Sequence, residues 1–105
     1  MGEIVEKPRT KVRTKTKAKT QRPRLHKVIL VNDDYTPREF VVVVLKGIFH
    51  MSEDQAFRVM ITAHQKGVCV VAVYTREIAE TKATEGTQAG ERAGFPLHFT
   101  TEPEE

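Results

Sequence analysis

The sequence predicts an α+β fold: one small two-layer domain in which three helices cover one face of a three-stranded, mostly antiparallel sheet. The first observation behind this prediction is length, because 105 residues allow a single domain with a modest core. The second is the order of the apolar patterns from residue 25 onward, which alternate between strand-like and helical in the order β-α-α-β-α-β. The third is an abrupt change in charge along the chain.

The charge change separates a basic arm from an acidic domain. Residues 1–27 carry ten Lys and Arg against two Glu, a net charge of +8, whereas residues 28–105 carry seven Lys and Arg against twelve Asp and Glu, a net charge of −5. The stretch before Leu25 has too few apolar residues to form a core. We therefore predict a flexible, disordered basic extension at residues 1–24 and a folded core at 25–105.

The core begins with a strand, a polar turn and a helix. Residues 25–31 are mostly aliphatic and β-branched and end at an Asn-Asp-Asp cluster, which indicates a strand followed by a turn. Thr36 and Glu39 flank a proline with the spacing of a capping box, so we expect Thr36 to cap a helix over residues 37–49.

The second helix and second strand have clear limits. Ser52 begins another capping-box pattern, and Gly67 is suited to a helix end. Between them one apolar stripe recurs with helical spacing, at Ala56, Val59, Met60 and Ala63, with His64 at its edge. Residues 68–74 are almost all apolar and β-branched, which predicts a strand.

The last two elements have weaker signals. Thr75 is placed to cap a third helix over about residues 76–92, for which Ile78 and Ala79 are expected inside. Glycines within this segment lower its helix propensity. Residues 96–100 predict a short final strand before an acidic tail.

Composition argues against several classes of function. The single cysteine, Cys69, and the scattered histidines provide no metal-ligand pattern, so we expect no metal and no cofactor, and a reducing compartment, the cytoplasm. No apolar run approaches the roughly 20 residues of a membrane helix. The only serine, Ser52, is assigned to a helix cap and is not available as a catalytic nucleophile, so we expect that the protein is not an enzyme. A small nucleic-acid-binding module that uses the basic arm remains the alternative, and a purely structural interaction domain is a third possibility.

A cleft for a free amino terminus is the more specific prediction. The helix after the first turn and the returning second helix would border a cleft whose polar lip comprises Asn32, Asp33 and His64. Oxygen atoms aimed at one spot bind an ammonium group, and an apolar floor beside them binds a bulky side chain. For each lip residue taken alone, composition favours the simpler explanation, which is turn chemistry for Asn32 and Asp33 and a satisfied or solvated ring for His64. Four residues are placed to form the floor: Leu30, Val41, Met60 and Ala63.

Four segments of the core have distinctive sequences: HKVILVNDDYTPREFVVVVL, TAHQKG, VYTREIAETK at 73–82 and AGFPLHFT at 93–100. Together they closely resemble the ClpS family, the adaptors that deliver N-degron substrates to the ClpAP protease. The resemblance covers about residues 25–105. It implies a non-enzymatic, monomeric adaptor whose partners are the N-terminal domain of the Clp ATPase, ClpA, and polypeptides that begin with Phe, Tyr, Trp or Leu, with neither nucleic acid nor membrane as a partner.

The resemblance also implies roles for individual positions. Asn32, Asp33 and His64 would contact the substrate's α-amino group. Tyr35, Glu77 and Lys82 would belong to the surface that docks on the ATPase. The pocket for the first side chain and its rim would comprise Leu30, Asp34, Thr36, Arg38, Val41, Met60, Ala63 and Leu97.

Two positions depart from the family pattern. Arg38 stands where many members have Met, which limits access of β-branched side chains, and Ala63 stands where Val is common. We therefore expect bulky first residues to be bound with an altered spectrum.

Overall fold

The computed structural model describes residues 22–105. The elements follow the predicted order: β1 (Leu25–Val31), α1 (Arg38–Phe49), α2 (Glu53–Lys66), β2 (Val68–Thr75), α3 (Arg76–Ala93) and β3 (His98–Pro103). The prediction of a disordered arm falls mainly on residues 1–21, which lie outside this description. Among the described residues, no helix is long and apolar enough to cross a membrane.

The sheet has the strand order β2-β1-β3, and both pairings are antiparallel, which confirms the predicted fold class. The central strand is β1, so its backbone is paired on both sides. The register with β2 shifts between Val28 and Ile29, whose partners are Ala72 and Val70, and this bulge leaves Val71 as the extra residue. The loop that follows Val31 therefore leaves the sheet from its centre.

The core lies between the sheet and the helices. Val28 and Leu30 face inward from β1, and α1 buries Val44 and Leu45 against them. The Phe49 ring of α1 packs on the Phe99 ring of β3, with centroids 5.3 Å apart. Alternate residues of a strand face opposite sides, so Ile29 lies on the far side of the sheet, outside the core cluster.

Two helix limits agree with the cap predictions, and one cap prediction is wrong. Ser52 accepts a hydrogen bond from the Gln55 amide, and Gly67 ends α2 in the left-handed region with φ 93°. Thr36 is not a cap: Pro37 holds the N-cap position of α1 without a side-chain hydrogen bond. The reason is local: the Thr36 side chain is turned toward the Asp33 carboxylate, to which its hydroxyl donates, and its oxygen accepts no hydrogen bond from an amide of the first turn.

The third helix is longer and packs more closely than the sequence predicts. It begins after Thr75, which occupies the N-cap without a side-chain hydrogen bond. The expectation for Ile78 is wrong: its side chain is 48% exposed, since the buried stripe runs one residue later. That stripe consists of small residues only, Ala79, Ala83, Gly86 and Gly90.

The final strand is displaced from its predicted range of 96–100. It spans His98–Pro103 because it pairs along the whole of β1, back to the partners His26 and Pro103. Glu102, expected in an acidic tail, lies in the strand, and its carboxylate is 3.5 Å from the Lys27 ammonium.

Candidate functional site

A cavity of about 340 Å³ opens where β1 ends. It is bordered by the loop after β1, the first turns of α1, the last turns of α2 and the residue before β3. All eleven residues predicted for the amine site, pocket and rim line it: Leu30, Asn32, Asp33, Asp34, Thr36, Arg38, Val41, Met60, Ala63, His64 and Leu97. The structure thus brings these residues together from three separate stretches of the chain, residues 30–41, 60–64 and 97.

The floor of the cavity is part of the hydrophobic core. Leu30, Val41, Met60, Ala63 and Leu97 are all buried and belong to the core cluster. A buried apolar floor favours an apolar ligand group because the group leaves water without breaking hydrogen bonds. Since these side chains also pack on one another, the floor keeps its shape without a ligand.

The position of Leu97 depends on a glycine of α3. A Cβ atom added at Gly90 would lie 2.7 Å from the Leu97 Cβ, so the helix approaches Leu97 too closely for any side chain there. Although α3 contributes no residue to the cavity lining, it supports one floor residue from behind. The sequence gave no sign that Gly90 supports Leu97, because a glycine within a helix is ordinarily interpreted as a residue that lowers helix propensity.

Asp33 organises the loop that forms the polar lip. Its Oδ1 atom accepts hydrogen bonds from the backbone amides of Tyr35 and Thr36, each at 2.8 Å, and the Thr36 hydroxyl donates to the same carboxylate. Its Oδ2 atom accepts only from that hydroxyl, so it retains capacity for another donor. The turn interpretation of Asp33 is therefore correct, and it leaves an oriented carboxylate at the cavity.

Asn32 and His64 lie on backbone segments that are joined directly. The Asn32 amide donates to the Gly67 carbonyl at 2.9 Å, and the Gly67 amide donates to the Ala63 carbonyl at 2.8 Å. The end of β1 is thus fastened to the end of α2, the turn that carries His64. This connection holds the two sides of the lip at a fixed separation.

Arg38 lies across the opening, where it contacts His64. Its Nη2 atom is 3.1 Å from the His64 Nε2. A guanidinium group has donors and no acceptor, so Nε2 accepts this bond and the ring proton of neutral His64 is on Nδ1. The sequence had placed both residues at the opening but gave no sign that they contact each other.

Three further lining residues are Val31, Tyr35 and Pro37. Sequence reasoning had omitted Val31 and Pro37, although their neighbours in the chain were predicted. It had placed Tyr35 on the docking surface. Tyr35 is 80% exposed, so its ring stands at the mouth of the cavity rather than in it.

The other two predicted docking residues lie elsewhere. Glu77 and Lys82 line a shallow concavity on α3, together with Ile78. The Lys82 ammonium also donates to the Ile48 carbonyl at 2.9 Å, near the end of α1. Lys82 therefore has a structural contact of its own, since a cation at a helix C-terminus is favourable.

Among residues 22–105, no three His, Cys, Asp or Glu side chains lie close enough together to hold a metal ion. The lip residues therefore offer single hydrogen bonds and charges to an organic ligand. Carboxylate and amide oxygens above an apolar floor suit a ligand with a cationic group beside an apolar one. Fold and site together define a small ligand-binding α+β domain.

Comparison with known proteins identifies the family. Residues 21–100 match the model of the family described as ATP-dependent Clp protease adaptor protein ClpS. The chain is 68% identical, over the full length of both proteins, to the ATP-dependent Clp protease adapter protein ClpS 2 of Mesorhizobium japonicum. It is equally similar, also over both full lengths, to ClpS 1 of Rhodopseudomonas palustris. The chain belongs to the ClpS family, so it is an adaptor of a Clp protease and not itself a protease.

A solved structure extends the comparison. Agrobacterium tumefaciens ClpS2, whose structure was solved bound to L-phenylalaninamide, is 67% identical to this chain, with a TM-score of 0.78. The match covers 79% of this chain and 100% of that one.

Proposed function

We propose that this adaptor binds the free amino terminus of polypeptides that begin with a bulky hydrophobic residue, Phe, Tyr, Trp or Leu, and delivers them to the Clp ATPase-protease, ClpAP. One observation carries the proposal: the cavity joins the lip of Asn32, Asp33 and His64 to a buried apolar floor. The ligand of the Agrobacterium relative supports it, because L-phenylalaninamide has a free α-amino group beside an aromatic side chain.

The size of the cavity supports a ligand of about one residue. Its volume of about 340 Å³ lies at the lower end of the range of roughly 300–1,000 Å³ that is usual for ligand pockets. In the proposed complex the first side chain lies on the floor, and the ammonium group lies between the Asn32 and Asp33 oxygens and His64. Asp34, Thr36 and Arg38 border the entering backbone.

His64 would exchange partners when the amine binds. Its Nε2 atom accepts a hydrogen bond from Arg38. An ammonium group is also a donor, so amine and guanidinium would compete for the same nitrogen lone pair. Arg38 would then point away from His64 or toward the peptide, and its position would affect which first residues are accepted.

The first experiment tests the amine site. Labelled peptides that begin with Phe, Leu or Ala, each with a free or an acetylated amine, are titrated with the full-length protein. We expect tight binding only for free-amine Phe and Leu peptides. Asp33→Asn should weaken it by about 1.5–3 kcal/mol, because a charge-assisted hydrogen bond is lost. The matched control is Asp54→Asn, an exposed carboxylate in the first turn of α2. Equal binding of acetylated peptides would exclude the amine site.

The same titration has an expected pH dependence. An N-terminal amine has an ordinary pKa near 7.7–8.0, and a neighbouring carboxylate raises the pKa of the bound amine. Affinity should therefore be full below the pKa of the free amine and fall as the pH rises through that of the bound amine. An affinity that is flat to pH 10 would contradict recognition of a cation.

Arg38→Met tests the altered spectrum of first residues. The guanidinium at the cavity opening limits space and adds positive charge, so its replacement should change the relative affinities for Phe, Leu and Ile peptides. Unchanged relative affinities across such a panel would show that Arg38 has no part in selection.

Delivery requires a separate surface. We propose that Tyr35, Glu77 and Lys82 contact the N-terminal domain of ClpA, with the basic extension engaged during transfer and the adaptor acting as a cytoplasmic monomer. Tyr35→Ala should slow degradation of a Phe-initiated reporter by ClpAP while affinity for the free reporter peptide is kept. Wild-type degradation rates with Tyr35→Ala and with Glu77→Gln would contradict this surface.

A further inference from the structure

A second concavity adjoins the cavity, on the outer side of α1 and α2. This groove, of about 370 Å³, is bordered by the first turns of both helices. It shares two residues with the cavity, Arg38 and Met60, so the two concavities lie next to each other at these side chains. Its lining comprises Arg38, Glu39, Val42, Val43, Lys46, Glu53, Phe57 and Met60.

The groove holds two large apolar side chains that are open to solvent. Val43 is 62% exposed and Phe57 is 53% exposed. Single exposed apolar residues are common, but two in one concavity that adjoins a ligand site indicate a contact surface. Neither residue lines the cavity, so the first residue of a substrate does not explain them.

The charged residues of the groove leave its apolar part open. The Lys46 ammonium lies 2.8 Å from the Glu53 carboxylate, which forms an ion pair at the rim. Arg38 has turned one end of its guanidinium toward His64. Both cationic groups at the groove are therefore partly committed, and the surface offered to a ligand is that of Val42, Val43 and Phe57.

We propose that this groove binds an apolar side chain at the second or third position of a polypeptide whose first residue lies in the cavity. The inference rests on the proposed function and adds a second requirement to the substrate of the same site. An extended chain advances about 3.3 Å per residue, with alternate side chains on opposite sides. Of the two residues after the first, one therefore points toward the helices as the chain passes Arg38 and Met60.

Arg38 is placed to support the backbone at this boundary. Guanidinium has five N–H donors, of which only Nη2 contacts His64, and the proposed binding of the amine to His64 releases that one as well. The remaining donors are available to a peptide carbonyl oxygen between the cavity and the groove. The substrate class is thus narrower than a bulky first residue: it is a bulky first residue followed within two positions by an apolar one.

The test compares L-phenylalaninamide with three peptide amides, Phe-Ala-Ala, Phe-Leu-Ala and Phe-Ala-Leu, by calorimetric titration of the full-length protein. One of the two Leu peptides should bind about five- to tenfold more tightly than Phe-Ala-Ala, the gain expected for partial burial of a Leu side chain. Val43→Gln and Phe57→Gln should each remove most of this gain. Both should leave the affinity for L-phenylalaninamide within about twofold of the original, because neither residue lines the cavity.

Ile78→Gln is the matched control. Ile78 is also a helical, apolar and half-exposed residue, but it lies on α3 away from both concavities. It should keep the full gain. Far-ultraviolet circular dichroism melts verify that all three variants fold.

Three results would overturn the inference while L-phenylalaninamide still binds. They are equal affinity of all three peptides, a gain that survives in both groove variants, and an equal loss in Ile78→Gln. Failure of the wild-type protein to bind L-phenylalaninamide would instead overturn the proposed function, and this inference with it.

Discussion

The first and third helices contact the same sheet with opposite kinds of surface. Helix α1 buries large side chains, Val41, Val44, Leu45 and Phe49. Helix α3 buries only alanines and glycines. Large side chains keep α1 away from the sheet and leave room for a cavity beside it, whereas the small residues of α3 let its backbone approach β3. One side of the domain is therefore built for a ligand and the other for close packing.

The largest effect is expected where α1 meets the core. Leu45 is one of the two largest fully buried side chains of the described chain. Leu45→Ala should lower the free energy of unfolding by about 2–5 kcal/mol, since apolar contact is lost and a void remains. Urea denaturation followed by circular dichroism measures this. A loss below about 1 kcal/mol would mean that α1 collapses onto the sheet as α3 does.

A pair of glycine substitutions tests the contrast directly. A Cβ atom at Gly86 would lie 2.5 Å from the buried Phe99 ring, whereas a Cβ atom at Gly47 of α1 would meet nothing within 4 Å. Alanine improves helix propensity by about 1 kcal/mol at either site, and overpacking costs about 1–3 kcal/mol at Gly86 alone. Gly47→Ala should therefore stabilise the protein, and Gly86→Ala should destabilise it by up to about 2 kcal/mol in the same urea experiment. Changes of the same sign would refute the close approach of α3.

These results bear on what the sequence could predict. Element order and the lining of the cavity followed from apolar periodicity, turn residues and family resemblance, because those signals are local. In α3 the expectation for Ala79 is confirmed and that for Ile78 is wrong, since small residues give a weak hydrophobic pattern and their burial depends on the approach of Phe99. The Thr36 cap failed because its hydroxyl is turned toward the Asp33 carboxylate, to which it donates, rather than toward the amides of the first turn of α1.

The groove beside α1 was also missed, although one signal was present. Residues 41–44 are four consecutive valines in a helix. Successive helical residues are about 100° apart, so four in a row cannot all face the core. At least one of them had to be exposed, and the structure shows that it is Val43. Phe57, its neighbour in the groove, comes from another helix, and only the packing of α1 on α2 brings the two together.

A smaller effect is expected at the edge of the sheet. The Thr87 hydroxyl of α3 accepts from the Phe99 amide at 3.0 Å, which satisfies a donor on the outer edge of β3. Thr87→Val keeps the shape and removes this acceptor, so stability should fall by about 1 kcal/mol. Thermal melting and amide exchange at Phe99 would report it. Unchanged protection of that amide would contradict the role.

The smallest effect concerns Cys69 of β2. Burial raises the pKa of the Cys69 thiol, and the nearby Lys66 ammonium only partly offsets this. Folding therefore favours the neutral thiol. The contribution of this preference to the free energy of unfolding is complete below the pKa of the thiol in the unfolded chain, and it is lost as the pH rises through the pKa of the thiol in the folded protein. The midpoint of iodoacetamide alkylation against pH should lie higher in buffer than in urea. A lower midpoint in buffer would contradict the burial effect.

The backbone link between Asn32 and Gly67 makes the distance between the two sides of the lip independent of the side chains that line the cavity. Those hydrogen bonds join backbone atoms only, so they do not depend on which side chains line the cavity. Residues such as Arg38 and Ala63 are thus free to vary in size and charge while the span between the two sides of the lip stays constant. Under the proposed function, single substitutions could change which first residue is accepted, while the lip still recognises the one group that every unmodified polypeptide shares, its terminal amine.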